Sequence, residues 1–356
     1  MSGRSGPVRR GAWPLALAAV LLTGCTAAAP TPPGAALDNE LQRQLVADVT
    51  VGGTEPHLQE LQRIADRNGG NRASPGPGYD ASVDYVAGVL RDAGYDVTTP
   101  TFTVRAQGSG GGRRDGRRGD GEERPVTVRN VIAQTRTGNV ERVVMAGAHL
   151  DSVPEGPGIN DNGTGVAALL EIAVRLGGSP AVTNAVRFGF WGSEEVDLNG
   201  STSYVRSLPA RSRPLLYLNL DMLGSPNAGY FLQGGVGEEE SETGPPGSAD
   251  VARVVAEQLA SVGITAEATT FDEASDYAAF VDAGIPSAGI LTGDEDEMTP
   301  AEARQWNGRP GTVFDSCYHS ACDRIENVNT TALDRFADAT AGTVAHFAMS
   351  NDALPS

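Results

Sequence analysis

Only four histidines occur in the 356 residues, and two of them stand in stretches dense with carboxylates. His149 follows the apolar run Arg142–Ala148, and Asp151 comes two residues later. Glu194 and Glu195 follow Phe188-Gly-Phe-Trp-Gly-Ser193, and Asp221 closes Leu216-Tyr-Leu-Asn-Leu220. These three places share a form: a run with strand character that ends in an imidazole or an acid. Ligands of open α/β sheets bind at the carboxyl ends of the strands, so these groups are expected to converge although they are far apart in sequence. Imidazole and carboxylate together are the donor set of a hydrolytic zinc centre. Between the first two places lies Gly158-Ile-Asn-Asp161-Asn-Gly-Thr-Gly165, a glycine-bounded turn that enters a helix and can present Asp161 into the same space. An Asn-Asp-Asn-Gly on its own is more often just a turn. His319 sits in Cys317-Tyr318-His319-Ser-Ala-Cys322-Asp323, whereas His57 and His346 match no ligand pattern and read as structural or surface residues.

The elements that must position these groups read as an α/β pattern. Pro56 to Leu90 suggests two helices around the turn-rich Asn68–Gly78, and Tyr95–Val104 suggests a strand. Further strands are expected at Val126–Ala133, Arg142–Ala148, Ala185–Trp191, Leu215–Leu220 and Ser287–Leu291. Helices are expected near Gly165–Leu176, Ser248–Val262, Ala274–Ala283 and Thr330–Met349. Short apolar runs alternating with helical stretches predict one globular domain with a mixed, mostly parallel central sheet flanked by helices, spanning about 48–350. The Gly-, Arg- and Asp-rich stretch at about 106–124 cannot bury apolar surface and is expected to be a disordered insertion.

Composition narrows the classes of function. A net charge of -18 and the complete absence of lysine exclude lysine chemistry and disfavour nucleic acid, which needs clustered cations. Arg4, Arg9 and Arg10 precede an apolar run from Trp13 to Leu22, too short to span a bilayer comfortably. It ends in Leu22-Thr-Gly-Cys25, which resembles the bacterial lipobox. Residues 1–24 are therefore expected to be a signal peptide, Cys25 the lipidated residue, and 25–47 a flexible tether rich in Ala, Pro and Gly at its start. The chain is expected to be exported and held at the membrane by lipid alone. With Cys25 assigned to lipid, Cys317 and Cys322 remain as a pair closing a tight loop.

Taken together, Gly69-Gly-Asn-Arg72, Ala146-Gly-Ala-His149-Leu-Asp-Ser-Val153, Gly158–Gly163, Trp191-Gly-Ser-Glu194-Glu195, Leu220–Asn227 and the Cys317–Asp323 loop resemble the secreted bacterial double-zinc aminopeptidases of metallopeptidase family twenty-eight, of the aminopeptidase S type. The resemblance implies a zinc exopeptidase fold and two zinc ions per chain. It implies that His149 and Asp221 hold one ion, Glu195 and His319 the other, and Asp161 both. It makes Glu194 the general base, and Tyr318 the donor to the developing oxyanion. Asp151 is expected to accept the other imidazole N–H of His149. A calcium site from Asp48, Asp334 and Asp338 is a further expectation, although exposed helix carboxylates are usually only solvated.

The implied activity is removal of N-terminal residues, large and apolar by preference, from peptides with a free N-terminus, by a monomer. In one respect the chain departs from the pattern. Glu273-Ala274-Ser275-Asp276-Tyr277 stands where members typically show Gly-Arg-Ser-Asp-His, so Ala274 replaces an arginine that helps hold the peptide. Two other readings are open from the sequence: another metal-dependent exopeptidase or aminoacylase-like hydrolase on the same fold, and a non-catalytic peptide-binding lipoprotein, which would have no use for the base.

Overall fold

The computed structural model describes residues 33–106, 124–237 and 240–351. The expected signal peptide, Cys25 and the body of the Gly/Arg insertion lie outside the described residues.

Helices α1 (Pro33–Asp48), α2 (Val51–Arg67) and α3 (Pro77–Asp92) come first, followed by strands β1 (Asp96–Thr98), β2 (Thr101–Ala106), β3 (Arg124–Arg129) and β4 (Val131–Gln134). The chain continues as β5 (Asn139–His149), α4 (Thr164–Leu176), β6 (Asn184–Trp191), α5 (Asn199–Ser207), β7 (Leu216–Leu220), β8 (Phe231–Gln233) and α6 (Glu240–Thr243). It ends with α7 (Ser248–Ser261), β9 (Glu267–Thr269), α8 (Tyr277–Asp282), β10 (Ser287–Leu291), α9 (Pro300–Trp306) and α10 (Thr330–Met349). Among the described residues no helix is long and apolar enough to cross a membrane.

Eight strands form one mixed sheet in the order β1-β4-β6-β5-β7-β10-β8-β9. Its centre, β6-β5-β7-β10, is parallel, so the carboxyl ends of β5, β6 and β7 share one edge. Alternation along β5 assigns the two faces. Val144, Ala146 and Ala148 pack into the larger core with α4, α7 and α10, whereas Met145 faces a second cluster with Trp191, Tyr217 and Phe280. Helix α4 is buried on nearly every side, which suits a segment as apolar as Val166–Leu170.

Three expectations need correction. The single strand expected over Tyr95–Val104 is two, because Pro100 has no N–H to give a ladder: β1 joins the main sheet and β2 pairs with β3 in a separate ribbon. Val126–Ala133 divides likewise at Asn130, whose side chain is taken by the backbone of Gly192 and Gly200. The stretch expected as a tether up to residue 47 is helical from Pro33, and Leu45 is buried in the core.

His57 is structural. Its Nδ1 lies 2.6 Å from the Tyr85 hydroxyl, and burial pushes its pKa down to about 4. The folded state therefore disfavours the charged ring. This contribution to stability is intact above pH 6.5 and is lost as pH falls toward 4. A His57→Gln variant is expected to lose less stability than the parent across that window in denaturant titrations; identical losses would contradict the assignment.

Candidate metal centre

Asp161 lies between two groups. His149 Nε2 is 3.1 Å from Asp161 Oδ1 and 3.4 Å from Asp221 Oδ1. His319 Nε2 is 3.2 Å from Asp161 Oδ2 and 3.0 Å from Glu195 Oε2. The ligand atoms of each triad, His149–Asp161–Asp221 and Asp161–Glu195–His319, lie within 4.8 Å of one another, and among the described residues no other such group forms. Each oxygen of Asp161 thus serves a different triad.

The fold accounts for each position. His149 is the last residue of β5, Asp221 follows β7, and the pair Glu194-Glu195 follows β6. Asp161 sits in the turn before α4, joined to Asn162 by a cis peptide bond. The backbone N–H groups of Asn160 and Asp161 both donate to the buried Asp323 carboxylate, at 2.7 and 3.0 Å. Asp323 ends the loop that carries His319, so one carboxylate fastens the two halves of the site together. Cys317 and Cys322 are joined by a disulfide, with Cα atoms 5.2 Å apart, which confines the intervening Tyr318 and His319.

Other anchors carried no role in the sequence reading. Arg72, fully buried, donates to the carbonyls of Leu150, Pro157 and Gly158, tying the exit of β5 to the Asp161 turn. Its charge stands among Asp151, Asp323, Asp161 and Glu195, which oppose the lowering of its pKa by burial. Ser275 donates to Asp221 Oδ2 at 2.7 Å. Both residues lie inside motifs quoted above, and the contacts that give them roles are 54 to 86 positions away in sequence. Replacing Arg72 with Met leaves three buried carbonyls unmatched, at about 1–3 kcal/mol each. A loss of at least about 3 kcal/mol in denaturant unfolding is expected, and an unchanged midpoint would contradict the assigned role.

Asp151 differs from its expected part. It faces His149 Nδ1 at 3.8 Å, beyond hydrogen-bond distance, and its Oδ1 instead accepts the backbone N–H of Glu194 at 3.1 Å. The three expected calcium ligands form no close group. Asp48 is exposed, and Asp334 Oδ1 accepts the Val51 N–H at 2.8 Å, at the start of α2. Asp338 is raised to about 6 by burial and by the neighbouring Asp334.

Charge crowds this site. Burial raises Glu194 well above the usual carboxylate range and takes Glu195 to about 7. Burial also pushes Asp161 upward, but His149 and His319 hold it below its ordinary value. Hydrogen bonds to Asp161 and Glu195 lift His319 to about 10. His149 is likewise raised, Glu194 and Asp221 outweighing its burial. Asp221 Oδ1 and Glu195 Oε1 are buried without a hydrogen-bond donor among the described residues. Buried carboxylate oxygens normally have partners, and two orphans beside two imidazoles fit a pair of divalent cations of borderline softness. Zinc matches this nitrogen and oxygen donor set.

The triads open on a cavity of about 350 Å³, whose walls include Glu194, Met222, Ala274, Leu291 and Tyr318. No arginine lines it among the described residues. The Tyr318 ring stacks on His319 at 3.8 Å between centroids. Ala274 gives that part of the wall a small side chain, beside Asp272 and Glu273.

Comparison with known proteins gives a consistent picture. The family described as peptidase family M28 matches residues 130–344. The chain is 41% identical to leupeptin-inactivating enzyme 1 of Streptomyces exfoliatus over 91% of its own length and 65% of that protein's. It is 36% identical to the probable lipoprotein aminopeptidase LpqL of Mycobacterium tuberculosis, over 88% of this chain and 89% of that one. It is 49% identical to an aminopeptidase of Pseudomonas aeruginosa over 60% of this chain and 40% of that protein. Among these curated relatives, then, the chain spans between two fifths and nine tenths of the matched protein. The solved zinc aminopeptidase BSAP of Bacillus subtilis superposes with a TM-score of 0.64 at 19% identity, covering 83% of this chain and 94% of that one. A glutaminyl cyclase of Porphyromonas gingivalis superposes at 0.60, with 20% identity over 83% and 98% of the two chains. One fold therefore carries more than one chemistry, and the activity has to be argued from the site.

Proposed function

Because the chain belongs to peptidase family M28, we propose that it is an exported, lipid-anchored aminopeptidase that uses two zinc ions to remove the N-terminal residue of peptides. The observation that carries this reading is the pair of His–carboxylate triads sharing Asp161, with Glu194 beside them in the same cavity.

In this reading His149 and Asp221 hold one ion, Glu195 and His319 the other, and Asp161 both. Bound there, the pair supplies Lewis acidity toward the scissile carbonyl and toward water. Glu194 does the proton work: it takes a proton from the attacking water and delivers it to the nitrogen of the leaving peptide. Its burial favours this part, since a carboxylate with a raised pKa both accepts a proton and holds it near neutral pH. Asp151 accepts the Glu194 backbone N–H and so holds the base in place. The Tyr318 hydroxyl is the donor to the carbonyl oxygen as it gains charge.

A cavity rich in carboxylates, and lined by no arginine among the described residues, suits a substrate's α-ammonium group and repels a C-terminal carboxylate. Met222, Leu291 and Tyr318 offer apolar surface to a large side chain, which supports a preference for residues such as leucine. Export and the lipid anchor are supported by the Leu22–Cys25 motif and by the lipoprotein relative.

Two measurements test the reading. Leucyl-p-nitroanilide is hydrolysed, and a chelator stops the reaction until zinc is restored; a folded, zinc-loaded sample inert toward every peptide tried would overturn it. A peptide is cut where its N-acetylated form is not, and equal cleavage would refute dependence on a free amine. Tyr318→Phe is expected to lower kcat by about 100-fold with a much smaller change in KM. Unchanged kcat would remove Tyr318 from the mechanism.

A further inference from the structure

Behind Asp221 runs a chain of hydrogen bonds that crosses three strands. Trp191 Nε1 lies 2.8 Å from the Tyr217 hydroxyl, which lies 3.0 Å from Asn219 Oδ1. Asn219 Nδ2 is 2.9 Å from Ser275 Oγ, and Ser275 Oγ is 2.7 Å from Asp221 Oδ2. Its direction follows from the chemistry of the groups. An indole N–H can only donate, so the Tyr217 oxygen accepts there and its single hydrogen goes to Asn219. That acceptance fixes the Asn219 amide with its nitrogen toward Ser275, whose own hydrogen must then go to Asp221. Trp191 and Tyr217 are fully buried, Asn219 and Ser275 nearly so, and Phe280 stacks flat on Tyr217 at 3.6 Å. In such surroundings each bond polarises the next.

The sheet makes room for this chain at one point. Strand β5 lies between β6, which carries Trp191, and β7, which carries Tyr217 and Asn219. Gly147 of β5 is the position crossed: a Cβ there would lie 2.5 Å from the Tyr217 hydroxyl oxygen and 2.7 Å from Trp191 Nε1. The glycine two residues before His149 therefore reflects the passage of these side chains over the strand.

We infer that Trp191, Tyr217 and Asn219 are positioning residues for one of the two metal positions: through Ser275 they hold Asp221 Oδ2 and turn Oδ1 toward His149. The inference rests on the reading of Asp221 as a metal ligand. Glu195 and His319 stand outside the chain, so the effect is confined to the His149–Asp221 position. Outer-sphere bonds of this kind commonly change metal affinity by about 10–100-fold.

The test uses Co²⁺ as probe. Metal-free protein crystals receive limiting Co²⁺, and anomalous peak heights at the two positions are compared, alongside titration in solution. The parent binds two ions. Tyr217→Phe, which removes only the hydroxyl, and Asn219→Asp, which removes the donor toward Ser275, are each expected to weaken the His149–Asp221 position by about tenfold or more and to leave the other within about twofold. Gly147→Ala reproduces the selective loss. Phe280→Leu, a packing change beside Tyr217, lowers thermal stability without changing the ratio of occupancies. Should either relay variant be unobtainable in folded form, the other decides. Two positions weakened equally, or neither, would overturn the inference. A parent that binds fewer than two ions would instead overturn the two-metal reading on which it rests.

Discussion

Glu194→Gln is expected to lower kcat on leucyl-p-nitroanilide by on the order of 1,000-fold while zinc content and KM stay close to the parent values. Gln matches the shape of Glu, and the contact between Asp151 and the backbone at position 194 does not depend on the side chain. What disappears is a group able to carry a proton in both directions. Burial disfavours the charged form of this carboxyl, and His149 is the main influence favouring it, with Asp276, Asp221 and Glu195 opposing. An amide cannot reproduce that balance. More than a tenth of the parent activity in a zinc-loaded variant would remove Glu194 as the base.

Asp161→Asn is expected to abolish detectable turnover by another route, through loss of metal. The carboxylate offers Oδ1 to one triad and Oδ2 to the other. Asn keeps one carbonyl oxygen and puts an N–H₂ group where the second acceptor stood, so whichever way it turns, one triad meets donor hydrogens. Both ions are expected to bind at least about 100-fold more weakly, because each loses a charged donor and the shared negative charge between them is gone. Equilibrium dialysis against zinc measures this. The two variants separate the roles: one keeps metal and loses the proton carrier, the other loses the metal. An Asp161→Asn protein that retains two ions at parent affinity would show that the shared carboxylate is not what holds them.

Much of the site could be read from sequence because its residues sit where strands end. Runs such as Val143–Ala148 and Leu216–Leu220 are buried on both faces and mostly apolar, and their ends carry His149 and Asp221. The parallel order of β6, β5 and β7 then brings those ends to one edge. Less was legible where structure depends on distant partners. Strands β8 and β9 are three residues each, too short for a periodic signal, and exist because β10 offers an edge to β8 and β8 one to β9. The breaks at Pro100 and Asn130 move chain between two sheets, a choice no local pattern records. Arg72 and Asp323 stood in plain view within motifs, but their meaning lies in the carbonyls and N–H groups that other loops bring to them. Asp151 shows the same limit: spacing placed it beside His149, and the fold gave its hydrogen bond to Glu194. Helix α1 had a signal, with Leu41 and Leu45 spaced for one face, masked by the Pro- and Ala-rich run before it.

The pairing of two metal positions through Asp161 is tested most directly by a crystal structure of the zinc-loaded protein with data on both sides of the zinc absorption edge. Two anomalous peaks are expected, one within about 2.0–2.2 Å of donor atoms of His149 and Asp221, the other equally near Glu195 and His319, each with its own oxygen of Asp161. A single peak, or peaks away from these five side chains, would contradict the account.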